Sequence, residues 1–189
     1  MRIGVFGGSF DPVHIGHLIV AEHAADALTL DRVHFIPTRA QPLKPGGHAA
    51  PLDDRVKMLR LATGGNPRFL LDLREARREG PSYTVDTLQE LRSEFPDDWL
   101  CLLIGSDAAR EFAGWRDGPR IAALAEVIAL SRSGTTGASQ TGVARTLQVP
   151  RIDVSATQVR DTVRRGGSIR YLVPPGVADY IDAHSLYRT

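Results

Sequence analysis

The sequence contains almost no cysteine and no long apolar run. Cys101 is the single cysteine among 189 residues, so no disulfide can form within the chain, and its apolar neighbours predict a small buried side chain. No uninterrupted apolar stretch approaches the ~20 residues that cross a bilayer. A basic stretch followed by an apolar signal segment is also missing from the amino terminus. We therefore expect a soluble, cytoplasmic protein.

An excess of charge of either sign is also missing. The 23 Lys and Arg residues nearly balance the 22 Asp and Glu residues, which leaves a net charge of +1. Such a balance gives no broad field to attract nucleic acid or a membrane, and we expect neither as a partner. The length and the 42% hydrophobic content predict one domain over residues 1–189. Whether the protein forms a homo-oligomer is left open, because a sequence does not show which apolar residues are exposed.

Short apolar segments alternate with segments of helical periodicity. This alternation is typical of an α/β fold with a doubly wound, mainly parallel sheet and helices on both faces. Ligands in such folds bind beyond the carboxyl ends of the strands. Two stretches rich in Pro and Gly, or in Gly, Ser and Thr, predict loops at 38–51 and 131–145. The predicted strands are 2–6, 32–37, 68–72, 99–104 and 126–130, and the predicted helices are 15–28, 53–62, 84–95, 157–165 and 177–184.

The turn after the first predicted strand carries the strongest functional pattern. Its glycines let the backbone approach a phosphate chain, and a helix start that follows favours negative charge. His14 and His17 are three residues apart and share one face of the first helical turn, with Gly16 leaving space between them. Each histidine taken singly fits a surface or capping role, but together they favour a phosphate site. The glycine patterns of P-loops and dinucleotide-binding turns are absent. The turn reads Gly7-Gly8-Ser9-Phe10-Asp11-Pro12-Val13-His14-Ile15-Gly16-His17.

This turn resembles the H-x-G-H motif of the nucleotidyltransferase superfamily. Its longer form, G-G-S-F-D-P-x-H-x-G-H, is similar to that of bacterial nicotinate-nucleotide adenylyltransferases. Segment 82–88 resembles the family's S-Y-T-x-D-T-L, Gly105-Ser106-Asp107 with Trp115 resembles its G-x-D and later tryptophan, and 154–160 resembles I-S-x-T-x-I-R. The resemblance implies a Rossmann-like fold and the transfer of AMP from ATP to nicotinate mononucleotide. Deamido-NAD and pyrophosphate would be the products, with Mg2+ accompanying ATP.

The resemblance also assigns roles to individual residues. His14 and His17 would be the catalytic pair, and no side chain is assigned to a metal. The mononucleotide would contact Ser9, Thr84 and Trp115. We also expect it to contact Lys44 and Arg132, because a cation near a predicted loop can close over phosphates. ATP would contact Gly7, Gly8, Ser9, Phe10, His14, His17, Gly105, Asp107, Ser155, Thr157 and Arg160.

Several of these residues also have structural interpretations. Thr84 and Ser155 fit helix caps, the latter in a capping box with Gln158. Trp115 fits an ordinary packed aromatic residue. Lys44 and Arg132, like any exposed cation, fit solvated charges.

The sequence departs from the family pattern at two of its motifs. Ala156 replaces a serine found in many relatives, so one phosphate contact is missing there. Ser106 replaces a common alanine and is conservative in size.

Three other functions remain open at this point. The first is another H-x-G-H transferase, which would act on nicotinamide mononucleotide or phosphopantetheine or would make a cytidylyl alcohol. Segment 82–88 and Trp115 argue against the acceptors that lack a pyridine ring. The second is a nucleotide sensor without turnover, which would not need two transition-state donors. The third is an oxidoreductase, which the absent glycine pattern disfavours.

Overall fold

The chain folds around one parallel six-stranded sheet. The computed structural model describes residues 1–40, 47–132 and 141–188. Within them the strand order is β3-β2-β1-β4-β5-β6, and every adjacent pair is parallel. This order is that of a doubly wound Rossmann-like sheet, so the predicted fold class is confirmed. The strands are β1 (Arg2–Gly8), β2 (Arg32–Pro37), β3 (Phe69–Leu71), β4 (Trp99–Gly105), β5 (Glu126–Arg132) and β6 (Arg145–Val149).

All five helices expected from periodicity are present, with ends shifted by at most two residues. Three short helices, α3, α5 and α6, were not predicted, because fewer than eight residues show little periodicity. A 3-10 turn, Phe112–Gly114, follows α5. The helices are α1 (Ile15–Ala27), α2 (Leu52–Thr63), α3 (Arg74–Arg77), α4 (Thr84–Glu94), α5 (Ser106–Glu111), α6 (Gly118–Leu124), α7 (Ala156–Arg164) and α8 (Pro175–Ala183).

One predicted loop boundary was wrong. The loop expected at 131–145 is shorter, because β5 continues through Ser131 and Arg132 by pairing with Gln148 and Val149 of β6. β6 itself was not predicted. It has five residues, and only Val149 among them is buried, so its apolar pattern is weak.

Helices cover both faces of the sheet and bury a separate apolar cluster on each. One cluster contains side chains from α1, α2, α7 and α8, such as Met58 and Val159. The other contains side chains from α4, α5 and α6, such as Leu88 and Ile121. Cys101 lies in the first cluster, and burial raises the pKa of its thiol to about 12, as expected of an inert buried cysteine. No helix of the described residues is both long and apolar enough to span a bilayer.

The direction of winding changes between β1 and β4. These two strands are neighbours, yet the chain leaves β1 for α1 on one face and leaves β4 for α5 on the other. A crevice opens at the carboxyl ends of the strands where the winding reverses, and ligands of doubly wound sheets bind there. Gly8 and Gly105 end β1 and β4 at this edge.

Candidate active site

The turn between β1 and α1 brings the two predicted catalytic histidines into direct contact. His14 is the N-cap of α1, and its backbone N–H donates to His17 Nδ1 over 3.2 Å. The two rings stack with centroids 3.7 Å apart. A Cβ at Gly16 would lie only 3.0 Å from His14 Nδ1. The glycine between the histidines therefore gives the His14 ring the space that this arrangement requires.

His17 is held as a neutral hydrogen-bond donor. The surrounding protein desolvates the ring and lowers its pKa well below 6.5, and repulsion from His14 adds to this effect. Since Nδ1 accepts the backbone N–H of His14, the proton of the neutral ring is on Nε2. Phe10 packs edge-on against the same ring, with centroids 5.1 Å apart. The turn thus fixes both the tautomer and the orientation of this imidazole.

The buried carboxylate of Asp11 connects the turn to other parts of the chain. Asp11 accepts the backbone N–H groups of Ala49 at 2.6 Å and Ala50 at 3.1 Å, and the hydroxyl of Tyr187 at 2.8 Å. Asp11 itself is only 2% exposed. A buried carboxylate with several donors is well satisfied, so these bonds tie the turn to distant parts of the chain.

A buried arginine holds the other side of the same turn. Arg55 of α2 is 1% exposed and donates to the carbonyls of Ser9 at 2.7 Å and Thr38 at 2.9 Å. Burial lowers the pKa of its guanidinium, and the nearby Asp11 opposes that shift. Sequence reasoning missed Arg55 and Tyr187, because both act on the turn across long stretches of chain and belong to no local motif.

The closing motif packs against the opening one. Ser155 caps α7 by accepting the backbone N–H of Gln158 at 3.1 Å, which confirms the predicted cap. Arg160 donates to the backbone carbonyl of Asp11 at 2.7 Å and to the Thr157 hydroxyl at 3.2 Å. The predicted ATP-binding residues at the start of α7 therefore lie beside the β1–α1 turn.

A cavity of about 430 Å³ opens beside this turn, between the ends of β1 and β4. Its walls are largely apolar and include Trp115, which packs on Phe112 with ring centroids 5.4 Å apart. Glu75 and several hydroxyl groups supply polar atoms. Five predicted site residues line the cavity: Gly7, Gly8, Thr84, Gly105 and Trp115.

The start of α4 faces this cavity. Thr84 is the first helical residue rather than the cap, so the capping interpretation of Thr84 was wrong. Tyr83 occupies the N-cap position and makes no side-chain cap bond. The Arg116 guanidinium lies 4.4 Å from the centre of the Tyr83 ring. A helix start without a side-chain cap can offer its N–H groups to an anion.

The remaining predicted residues lie at the edge or outside the description. Asp107 is exposed in the first turn of α5 and forms an ion pair with Arg110. Arg132 ends β5 at the same edge of the sheet, but its side chain lies outside the described atoms. Lys44 lies outside the described residues. Among the residues that are described, no three His, Cys, Asp or Glu side chains are grouped so that they could hold a metal ion.

Comparisons with known proteins place this fold and site in a family. A model of the family described as "Cytidylyltransferase-like" matches residues 5–162. A Thermus thermophilus protein named "Probable nicotinate-nucleotide adenylyltransferase" is 43% identical over 188 residues, covering 100% of both chains. A Leifsonia xyli protein of the same name is 42% identical over 192 residues, covering 100% of this chain and 94% of its own. The chain belongs to the cytidylyltransferase-like family and, within it, to the nicotinate-nucleotide adenylyltransferases.

A solved structure with low sequence identity to this chain has the same fold. It is described as "Plasmodium falciparum nicotinic acid mononucleotide adenylyltransferase complexed with NaAD". It superposes with a TM-score of 0.82 and covers 98% of this chain and 97% of its own, at 18% identity. The Rossmann-like architecture is therefore retained where most residues differ.

Proposed function

We propose that this protein transfers AMP from ATP to nicotinate mononucleotide, with deamido-NAD and pyrophosphate as products. The observation that carries the proposal is the pairing of two sites in one crevice. A phosphate turn with a fixed, neutral His17 lies beside a cavity of about 430 Å³ that Trp115 and the start of α4 line. One site suits a phosphate chain and the other suits a flat ring that carries a carboxylate. The names of the relatives agree with this assignment.

The reaction needs alignment more than it needs a chemical group from the protein. An oxygen of the acceptor's 5′-phosphate attacks the α-phosphorus of ATP in line. The new P–O bond forms as the bond to the β-phosphate oxygen breaks, and pyrophosphate carries away the electron pair. A phosphate oxygen is already a competent nucleophile, so the main task is to position two anions and stabilise the charge of the transition state.

The β1–α1 turn supplies that stabilisation. His17 Nε2–H donates to the α-phosphate, and His14 assists at the bridging or outer phosphates. Backbone groups of Gly7, Gly8, Ser9 and Phe10 line the shared cleft, and the start of α1 favours negative charge beside them. The rest of the ATP site comprises Gly105, Asp107, Ser155, Thr157 and Arg160. The last three lie on α7 or at its start.

The acceptor occupies the cavity beside α4. Its carboxylate binds N–H groups at the Thr84 helix start, and its pyridine ring stacks on Trp115. Lys44 and Arg132 bind the mononucleotide phosphate, together with Ser9. This arrangement makes a carboxylate a better ligand than a neutral amide, because a helix start attracts negative charge.

We propose that Mg2+ accompanies ATP, and when bound it would supply positive charge that screens the outer phosphates. Mg2+ commonly binds through substrate phosphates with only one or two protein carboxylates. Asp107 offers one exposed carboxylate that fits that mode. Asp107 contacts either the adenylate ribose or water around the ion.

A product assay tests the proposal directly. The purified protein is incubated with ATP and Mg2+, with nicotinate or nicotinamide mononucleotide in separate reactions, and both pyrophosphate and dinucleotide are measured. We expect a strong preference for the nicotinate substrate. Equal use of both would retain adenylyl transfer and reject the role of the Thr84 region. No dinucleotide from either would reject the proposed function and favour another acceptor or a nucleotide sensor.

A further inference from the structure

Glu75 is a buried carboxyl group at the wall of the acceptor cavity to which the proposed reaction assigns no role. It lies in the four-residue helix α3, between β3 and α4, and is 6% exposed. Glutamate is seldom buried unless its charge has partners. The partners of Glu75 therefore indicate what it does.

The partners of Glu75 come from the segments that surround the cavity. The Thr87 hydroxyl of α4 donates to Glu75 Oε1 over 2.8 Å. The hydroxyl groups of Ser82, just before α4, and Thr38, just after β2, lie near this carboxyl and act to lower its pKa. These three hydroxyl residues line the cavity together with Glu75. Glu75 is thus bonded to the first turn of α4 and lies beside the end of β2 and the segment before α4.

The charges around this group are arranged to keep it in place. Arg78 donates to the same Thr87 hydroxyl over 3.3 Å and also donates to Glu90 over 2.6 Å. Burial raises the pKa of the Glu75 carboxyl, and the bond from Thr87, the charge of Arg78 and the nearby hydroxyl groups only partly oppose this shift. Movement of these partners would destabilise the folded protein, because a buried polar atom without a hydrogen bond raises the free energy of the folded state.

The bond to Thr87 controls the helix start that the acceptor needs. Thr87 lies three residues after Thr84, so the two residues share one face of α4, separated by one turn. Holding Thr87 therefore holds the direction of the N–H groups around Thr84. We propose that Glu75 is a positioning residue that orients the start of α4, through Thr87, for the acceptor's carboxylate. This inference rests on the proposed function.

Steady-state kinetics of four variants test the proposal. Glu75→Ala and Thr87→Val should each raise the KM for nicotinate mononucleotide about tenfold, as expected for the loss of one buried hydrogen bond to a charged group. The KM for ATP should change less than twofold. Thr87→Ser retains the hydroxyl and should restore a KM close to that of the wild type. The double variant Glu75→Ala/Thr87→Val should be no worse than either single variant, because both remove the same link.

Asp72→Asn provides a matched control next to the same short helix. Asp72 bonds to the Nδ1 atom of His34 at 3.0 Å and to the Nε atom of Arg74 at 2.8 Å, but it does not line the acceptor cavity. This variant should lower the melting temperature without changing either KM by more than about twofold, as expected for sites that act independently.

Two results would overturn the inference. One is an acceptor KM that stays at the wild-type value in both Glu75→Ala and Thr87→Val. The other is a parallel change in both KM values that tracks the loss of thermal stability, as in a purely structural role. If Glu75→Ala does not fold, the comparison of Thr87→Val with Thr87→Ser decides. A wild-type enzyme that forms no dinucleotide would instead reject the proposed function itself.

Discussion

The two sides of the crevice are held in place by different kinds of contact. On the phosphate side, Tyr187 bonds to Asp11 across 176 positions of sequence, and Arg55 bonds to Ser9 across 46. On the acceptor side, Thr87 bonds to Glu75 across only 12 positions. The bonds that hold the first site thus join residues far apart in the chain, whereas the bond at the start of α4 joins two neighbouring segments.

This difference follows from what each side must do. Charge that develops on a phosphoryl group is best stabilised by donors that do not move during the reaction, and long-range buried bonds fix such donors. A pyridine ring needs a flat apolar surface and one anion contact, which local packing can supply. The contrast predicts that damage to the phosphate side lowers turnover, whereas damage to the acceptor side raises the acceptor KM.

The largest expected effect is on the phosphate side, at His17. His17→Ala removes the Nε2–H that we propose as the donor to the α-phosphate, and loss of one preorganised donor costs ~2.7–4 kcal/mol in the transition state. We therefore expect kcat to fall at least about a hundredfold while circular dichroism shows a folded protein. His23→Ala is the control on the same helix, since His23 contacts the Gln148 carbonyl over 3.0 Å on β6. A fully active His17→Ala enzyme would contradict the assigned role.

The next largest effect is expected at the hydrogen bond between Tyr187 and Asp11, which holds the β1–α1 turn in place. Tyr187→Phe removes the 2.8 Å bond to buried Asp11, which should cost about 2 kcal/mol in the free energy of unfolding. The KM for ATP should rise several-fold because the turn is less well held. Urea denaturation and steady-state kinetics measure the two effects.

Tyr180→Phe is the matched control for this variant. It removes a hydroxyl bond of 2.7 Å to Asp54, between α8 and α2, away from the turn. Asp54 is only partly buried, so the loss should be about 1 kcal/mol and smaller than that at Asp11, and the KM for ATP should not change. Equal losses of stability and of ATP affinity in both variants would show that the bond to Asp11 does not specifically support the ATP site.

A smaller effect is expected on the acceptor side, at Trp115. Trp115→Ala should raise the acceptor KM up to about tenfold, because aromatic stacking contributes ~0.5–1.5 kcal/mol beyond burial. Trp115→Phe retains a ring and should be milder. Trp99→Ala is the control, because Trp99 stacks under Arg2 at 4.0 Å and lies outside the acceptor cavity. A fall in kcat at an unchanged acceptor KM would remove the distinction between the two sides.

The sequence alone was sufficient for the parts of the site that are local. The β1–turn–α1 segment is continuous in the chain, so the pairing of His14 and His17 could be predicted from spacing. The five longer helices and the buried strands have clear periodicity, and the structure confirms them. Capping at Ser155 was also predictable, because a cap depends on neighbours three residues away.

The parts that could not be predicted depend on contacts made only by folding. Arg55 stands in a helical segment where an arginine is typical of an exposed face, yet it is buried against carbonyls of Ser9 and Thr38. Tyr187 belongs to no motif near Asp11. Glu75 lies in a helix too short to give a pattern. Thr84 was misread as a cap, because its spacing fits a cap as well as a first helical residue.

The smallest expected effect is in the pH dependence of stability, where the two sides should differ in sign. The pKa of His17 is lowered from 6.5, so the unfolded chain binds a proton more readily than the folded one. Its contribution to stability is complete above pH 6.5 and is lost as the pH falls below that value. The pKa of Glu75 is raised from 4.5, so its contribution is complete below pH 4.5 and is lost as the pH rises through its folded-state pKa.

Difference profiles isolate these two groups from the rest of the molecule. The free energy of unfolding is measured by urea denaturation between about pH 4 and pH 8 for the wild type, His17→Gln and Glu75→Gln. The wild-type minus His17→Gln difference should rise with pH, and the wild-type minus Glu75→Gln difference should fall with pH. A His17 difference that falls with pH would mean that burial does not disfavour the protonated ring, and the neutral His17 donor would then lose its electrostatic basis. A Glu75 difference that rises with pH would contradict the raised pKa of that carboxyl.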